Sequence, residues 1–330
     1  MSDTSAIEAM LQPFGPKLEL GPLVEEVNRL FHAAEAKDYD RRHPEIRDEL
    51  PALWHEMLAV AKPYAPAQGW QVLDFGCGTG FASEQILNEL GRDRVAHLTC
   101  FDASPEMLEK CRTKLQGSVR ETRFLSSFDE LLASPVKHHL MATNSVLHHL
   151  PSPYATLHAL ERILTADAIY CAGHEPSQRY YRNAECQRLA KAFRKEWKWR
   201  KYLSPGQWVA KAADLFDRSP SPAREAAEAA FAKGLFSQKP TTGIIKQLVD
   251  FHVPQSQTGH SASLGFDVET LEAGFGPGWQ RLWAKSYNHL GEAPLGRLNA
   301  KWRGILADLQ SRYPLEGADF STVWRRRVAE

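Results

Sequence analysis

The chain lacks a long apolar run, an excess of either charge and any paired-cysteine spacing. No stretch approaches the roughly 18 consecutive apolar residues that a membrane-spanning helix requires. Its 330 residues carry 40 Lys plus Arg against 40 Asp plus Glu. The overall basic excess of a general nucleic-acid binder is therefore missing, and any cationic surface has to be local. The cysteines, Cys77, Cys100, Cys111, Cys171 and Cys186, are odd in number and show no CxxC or Cys/His spacing. They read as reduced thiols rather than zinc ligands. The opening "MSDTSAIEAM" has neither the basic nor the apolar region of a signal peptide, so a cytoplasmic protein is expected. What is present, 43% hydrophobic and 24% charged residues, suits a packed core.

Residues 1–65 read as helical. "LVEEVNRLFHAAEA" places Leu23, Val27, Leu30 and Phe31 at helical spacing, and a second helix follows Pro51. The pattern then changes. Short runs rich in β-formers, "WQVLDFGC" (70–77), "HLTCFDAS" (97–104), "VRETRFLSS" (119–127), "HLMATNSVL" (139–147) and "DAIYCAGHE" (167–175), alternate with helical stretches at 80–90, 105–115 and 154–164. Such alternation predicts a doubly wound, mostly parallel α/β sheet with right-handed crossovers. Residues 176–260 contain no convincing strand and read as a helical insertion with linkers at "SPSP" and "VPQSQTGHSAS". Residues 261–330 return to helix, strand, helix, strand. The expected organisation is thus a helical segment (1–65), a Rossmann-like core (66–175), the insertion (176–260) and a completion of the sheet (261–330).

The glycine-rich turn "GCGTG" after the first strand is the strongest local signal. A phosphate-binding P-loop needs a lysine followed by Ser or Thr, but Gly80 is followed by Phe81, Ala82 and Ser83. A dinucleotide site shows G-x-G-x-x-G and a helix terminus aimed at a pyrophosphate. Here Asp74, at the end of the strand, would repel a pyrophosphate and would suit the ammonium of an amino-acid moiety. Asp102 ends the next strand, where an acid can accept hydrogen bonds from both ribose hydroxyls.

Taken in order, "VLDFGCGTG", "DASPEML" and "LHHLPSP" resemble the class I S-adenosylmethionine-dependent methyltransferases, in particular their small-molecule group. The resemblance covers roughly residues 70–175 and returns more weakly at 264–330. It implies a seven-stranded sheet of order 3-2-1-4-5-7-6 with the last strand antiparallel, and residues 1–65 as a lid. It also implies S-adenosylmethionine across the carboxyl ends of strands 1 and 2. Gly76, Cys77, Gly78 and Gly80 would then cradle the cofactor. Asp74 would meet its amino-acid end and Asp102 its ribose, with Ala103 and Met107 beside it. Ser127 and Phe128 would flank the adenine, and Asn144 would lie beside the methionine part. Tyr39 would cover the cofactor from the lid or simply pack the lid onto the core. The family's Pro-Gly-Gly turn before strand 5 is replaced by "LTADA".

The acceptor would sit over strands 4 and 5, under the insertion. His174 and Glu175 follow strand 5 directly and are candidate catalytic groups, as are His149 after strand 4 and His252 in "LVDFHVP". The plainer alternative is that His148 and His149 pack and cap their loop. A metal site from His174, Asp250, His252 and His260 finds no support in helical or short ligand spacing, so no metal is expected. In "RLAKAFRKEWKWRKY", Leu189, Phe193 and Trp197 form an apolar stripe opposite Lys191, Arg194, Lys195, Lys198 and Lys201. This is a solvated cap-helix face or a surface for an anionic or carrier-bound substrate. The expected function is methyl transfer to a small molecule. A nucleic-acid-directed enzyme using the basic helix, a non-catalytic scaffold, and aminopropyl-type chemistry with the same cofactor are the alternatives.

Overall fold

A computed structural model describes residues 4–202, 221–253, 265–291 and 298–327. His260, weighed above as a ligand, and the side chains of Lys198, Trp199 and Lys201 lie outside the described residues. The chain runs α1 (Ser5–Leu11), α2 (Leu20–Glu35), α3 (Leu50–Ala61), β1 (Trp70–Phe75), α4 (Phe81–Leu90), β2 (Val95–Phe101), α5 (Pro105–Leu115), β3 (Thr122–Leu125) and β4 (His138–Asn144). It continues with α6 (Pro153–Leu160), β5 (Leu164–Pro176), α7 (Ala184–Tyr202), α8 (Pro222–Ala232), α9 (Thr242–Val249), α10 (Val268–Phe275), β6 (Trp279–Tyr287), α11 (Ala300–Arg312) and β7 (Asp319–Arg326).

The seven strands form one sheet of order β3-β2-β1-β4-β5-β7-β6. Strands β1 to β5 pair in parallel, and β7 runs antiparallel to both β5 and β6. The order expected from the sequence is the order found. The period-two alternation of a strand sorts side chains onto two covered faces. Val72, Leu140, Ala142, Ile169 and Cys171 face α3, α4 and α5, among Trp54, Met57, Ile86 and Leu87. Their neighbours Leu73, Met141, Tyr170 and Ala172 face the other way, among Leu160, Leu271, Phe275 and Trp324.

Two boundaries differ from the sequence reading. The strand expected over 119–127 pairs only over Thr122–Leu125. The "LTADA" stretch is not a separate turn but the start of β5, where the register slips between His138 and Leu140.

The helical segment 1–65 divides between two cores. Trp54, Met57 and Leu58 of α3 are fully buried against the sheet, so α3 belongs to the sheet's own helical layer. In contrast, α1 and α2 pack with α8 and α9 of the insertion in a separate core. There Leu23, Val24 and Val27 meet Ala223, Ala226, Ala227 and Ala230, whose small side chains leave room for close helix approach. The α7 stripe is buried on α11, with Phe193 edge-on to Trp302 at 5.1 Å.

Candidate active site

The glycine turn is built at the carboxyl ends of β1 and β2. Gly76, Gly78 and Gly80 have φ of 72°, 52° and 87°, a region that disfavours side chains. The N–H groups of Gly76 and Cys77 both donate to the Phe101 carbonyl, at 2.8 and 2.9 Å, which ties the turn to β2. At Gly76 a Cβ would lie 2.6 Å from Val146 Cγ2, so the turn after β4 forms one wall. At Gly78 a Cβ would meet nothing within 4 Å, so this backbone faces open space. Cys77 turns its side chain away, into the core beside Cys100 and Cys111.

Asp102 is held at both oxygens: Gly78 N donates to Oδ2 and Ser104 N to Oδ1, each at 2.8 Å. Burial raises its pKa against the pull of these N–H groups and of His32. Asp74 is 1% exposed. Its Oδ2 accepts Ser83 N and Oγ at 2.9 and 2.6 Å, clamping the start of α4 to β1. Its Oδ1 is buried without a hydrogen-bond partner, and burial pushes the carboxyl up to about 7. An uncompensated acceptor of this kind is costly and calls for a donor. Beyond β2, Ala103 is exposed and Met107 buried. Ser127 Oγ accepts Glu130 N at 3.3 Å, capping the short helix that Phe128 opens. Phe128 lies edge-on to Phe75 and Phe101, at 6.0 and 6.1 Å, on the outer side of the same strand ends.

The cradle has a roof. Helix α2 contacts both α5 and the turn Leu147–His149 after β4. The segment after α2 latches onto the glycine turn, with Thr79 Oγ1 donating to Asp40 Oδ1 at 2.7 Å. Tyr39 packs against His43 at 4.3 Å, and burial together with nearby carboxylates, Asp102 among them, raises its pKa. His43 lies between Glu45 (2.8 Å) and Glu35 (3.3 Å). Burial opposes its charge, but the two carboxylates outweigh burial and push it up to about 9. Glu35, likewise opposed by burial, is drawn down to about 2 by His32 and His43.

The neighbouring floor is made by the ends of β4, β5 and β6. Among the described residues, three non-glycines have left-handed φ: Ser145 (56°), His174 (56°) and Asn288 (61°). Each sits just past or within the end of one of these strands, and such conformations cost about 1–3 kcal/mol and gather at functional sites. Ser145 Oγ donates to the His174 carbonyl at 3.0 Å. The His174 N–H donates to Ser321 Oγ at 3.0 Å, and its Nδ1 pairs with the Tyr287 hydroxyl at 3.0 Å. The two rings lie nearly parallel at 5.8 Å. Asn144 Oδ1 accepts Trp54 Nε1 at 3.0 Å, so α3 fixes its rotamer.

Glu175 is fully buried and serves as an internal clamp. Its Oε1 accepts Val146 N and Leu147 N, and its Oε2 accepts His148 N and pairs with His148 Nδ1. Burial pushes this carboxyl up to about 7 against those N–H groups. The geometry makes Glu175 a positioning residue for the turn rather than a group facing the floor. His148 is driven down to about 3 by burial and neighbouring imidazoles, and His149 is lowered for the same reasons. His149 Nδ1 donates to the Val249 carbonyl at 2.7 Å. His252 is 7% exposed, its Nε2 has no partner, and burial lowers its pKa. Thus His174 faces the floor, whereas His149 and His252 belong to the junction of α9 with the turn after β4. The sequence reading did not single out Trp54, Asp40, Thr79, Tyr287 or Ser321, whose roles come from contacts between distant segments.

Residues 73–170 match the family described as methyltransferase domain. Among curated proteins, a ubiquinone biosynthesis O-methyltransferase from Xylella fastidiosa is 31% identical over 101 residues, 30% of this chain and 39% of that protein. A malonyl-[acyl-carrier protein] O-methyltransferase from Bacteroides thetaiotaomicron is 31% identical over 99 residues, 30% of this chain and 36% of that protein. The chain therefore spans about two fifths of the length of the curated relatives it matches. Among solved structures, the plantazolicin methyltransferase BpumL in complex with SAH is 12% identical with a TM-score of 0.45, covering 97% of this chain and 99% of that one. Among the described residues no helix is long and apolar enough to cross a membrane.

Proposed function

We propose that this protein transfers a methyl group from S-adenosylmethionine to a small-molecule acceptor held over the ends of β4, β5 and β6. The observation that carries this reading is the junction of an open, glycine-built cradle at Gly78 and Asp102 with a floor that presents His174. The donor fits the cradle's chemistry. Asp102 keeps lone pairs for ribose hydroxyls, the Gly78 backbone permits close approach, and the orphaned Asp74 Oδ1 suits an ammonium reached through water. The sulfonium, when bound, supplies a methyl group on an already charged leaving group. The chain's part is then mainly alignment, worth up to about 7–11 kcal/mol.

His174 supplies the proton acceptor where the nucleophile is a hydroxyl. With Nδ1 engaged by the Tyr287 hydroxyl, its Nε2 is left for the acceptor's proton. The Asp40 tie to Thr79 and helix α2 cover this space from the lid side.

A carrier-bound acceptor is a second form of the same reading. The exposed face of α7 presents Arg188, Lys191, Arg194 and Lys195 along an open groove of about 770 Å³ with Gln187. Such a groove suits a phosphorylated or acidic carrier. Activity on a carrier-linked acceptor that falls steeply with salt, beside a salt-insensitive free acceptor, would support it.

The test of the main reading is calorimetric titration with S-adenosylmethionine, S-adenosylhomocysteine and NAD, followed by a methyl-transfer screen of small hydroxyl, amine and carbon acceptors. Micromolar binding of both sulfur ligands with none of NAD, and turnover of an acceptor, is the expected result. Folded protein that binds neither sulfur ligand would overturn it.

A further inference from the structure

At the rim of the cradle, one donor atom each of His148, His149 and Asp250 lies within 4.8 Å of the others. The three come from two distant elements, the two histidines from the turn after β4 and the aspartate from the end of α9. That junction is stitched by the backbone. His252 N donates to the His148 carbonyl at 2.9 Å, and Asn28 Nδ2 of α2 reaches the Leu248 carbonyl at 3.2 Å. We propose that His148, His149 and Asp250 form a divalent transition-metal site that takes an oxygen-donor group of the acceptor, such as a carboxylate or paired hydroxyls, as a further ligand.

Both imidazoles are prepared for this role. His148 Nδ1 pairs with the Glu175 carboxylate at 2.9 Å, and His149 Nδ1 donates to the Val249 carbonyl at 2.7 Å. Each hydrogen bond fixes the tautomer with the proton on Nδ1 and leaves Nε2 as a lone pair. A carboxylate or carbonyl behind each ring is the usual support of metal-binding histidines. Two imidazoles with one carboxylate suit Zn²⁺, Co²⁺, Ni²⁺ or Fe²⁺, and not Mg²⁺ or Ca²⁺, which take oxygen ligands. Three protein ligands leave coordination positions open, and His149 and Asp250 are only half-buried, so an outside ligand has access. Bonds of about 2.1 Å place tetrahedral ligands about 3.4 Å apart. Atoms within 4.8 Å of one another therefore need to close by at most about 1.4 Å, within reach of side-chain rotation. Val146, three residues before His149, walls the glycine turn at Gly76, so the ion would lie beside the methyl donor.

A second group of donors, Cys77, Cys100 and Cys111, is fully buried beneath the glycine turn. It offers an acceptor no open position.

The substrate part of the proposal rests on the methyltransferase reading; the metal part does not. The test is titration of dialysed protein with Co²⁺ and Zn²⁺, followed by calorimetry and by cobalt absorption. One ion per chain is expected, with His149→Ala and Asp250→Asn each weakening binding at least tenfold. His158→Ala, an exposed residue elsewhere, serves as the unaffected control. S-adenosylhomocysteine binding by both variants shows that they are folded. The proposal is overturned by folded, S-adenosylhomocysteine-binding protein that takes up no ion. It is equally overturned by binding that both variants leave intact, or by intense sulfur-to-cobalt absorption placing the ion on the cysteines. Metal binding without S-adenosylhomocysteine binding would sink the methyltransferase reading alone.

Discussion

Replacing Glu175 tests whether the turn after β4 is held from beneath. The side chain is fully buried and collects four contacts: Val146 N and Leu147 N at 2.9 Å, His148 N at 3.3 Å and His148 Nδ1 at 2.9 Å. In Glu175→Ala all four groups lose their acceptor. Each orphaned buried donor costs about 1–3 kcal/mol. Water entry into the vacated space and relaxation of the turn make the sum less than additive, so the expected loss is about 4 kcal/mol, at the upper end for single substitutions. Glu175→Gln should cost less, about 1–2 kcal/mol. Its amide oxygen can keep the Val146 and Leu147 N–H groups, and His148 can switch tautomer to accept from the amide, so the long contact to His148 N is the main loss. Urea unfolding of the three proteins at pH 7 measures this ranking. Because Val146 walls Gly76, affinity for S-adenosylhomocysteine should fall in the same order. A loss below about 1 kcal/mol for Glu175→Ala, within the ordinary range of a single hydrogen bond, would refute the clamp.

Asp102→Ala should weaken S-adenosylmethionine binding by about 1–3 kcal/mol, about fivefold to 150-fold, in the same calorimetric titration; unchanged affinity would remove Asp102 from the ribose site. Gly76→Ala combines a φ of 72° with a contact of 2.6 Å to Val146. It should cost about 2–5 kcal/mol of stability from the left-handed penalty plus overpacking, read as a lowered urea midpoint. His174→Ala should spare cofactor affinity and lower turnover of a hydroxyl acceptor by about 10²-fold or more, which single-turnover kinetics would reveal. The lid ion pair should give a pH window. The raised His43 contributes stability below its unfolded value near 6.5 that is lost as pH rises through about 9. The lowered Glu35 contributes stability above about 4.5 that is lost as pH falls through about 2. Lid protection, read by limited proteolysis between α2 and α3, should therefore be greatest at about pH 4.5–6.5 and flattened in His43→Gln.

The sheet could be anticipated because its code is local. Alternation along "VLDF" already separates Val72 from Leu73, and the structure places them in two different cores. The glycine turn and Asp102 are similarly local, each a strand end with a recognisable chemistry, and the structure joins them through one hydrogen bond. The helical segment 1–65 was harder. Periodicity announces an apolar face but not its partner, and α3 turned out to serve the sheet while α2 serves the insertion. Glu175 stood out by following a strand, yet its four donors come from a turn 27 to 29 residues earlier. In the His148, His149 and Asp250 grouping the two histidines are adjacent, but the carboxylate comes from far along the chain at the end of α9, so no spacing links all three. Tyr287 and Ser321 reach His174 only because β6 and β7 complete the sheet beside β5.

The shared core of α2, α8 and α9 also sets an order of events during synthesis. Leu23, Val24 and Val27 leave the ribosome early, yet the surfaces that cover them belong to residues 222–249. Asn28 and its hydrogen-bond partner Leu248 stand 220 residues apart. Strands β1 to β5 are complete before that cover exists, and their contacts close shorter loops. The nascent chain thus carries a bare amphipathic helix while the intervening strands are made, a natural target for a chaperone, and the roof of the cradle is assembled after its floor has begun to form.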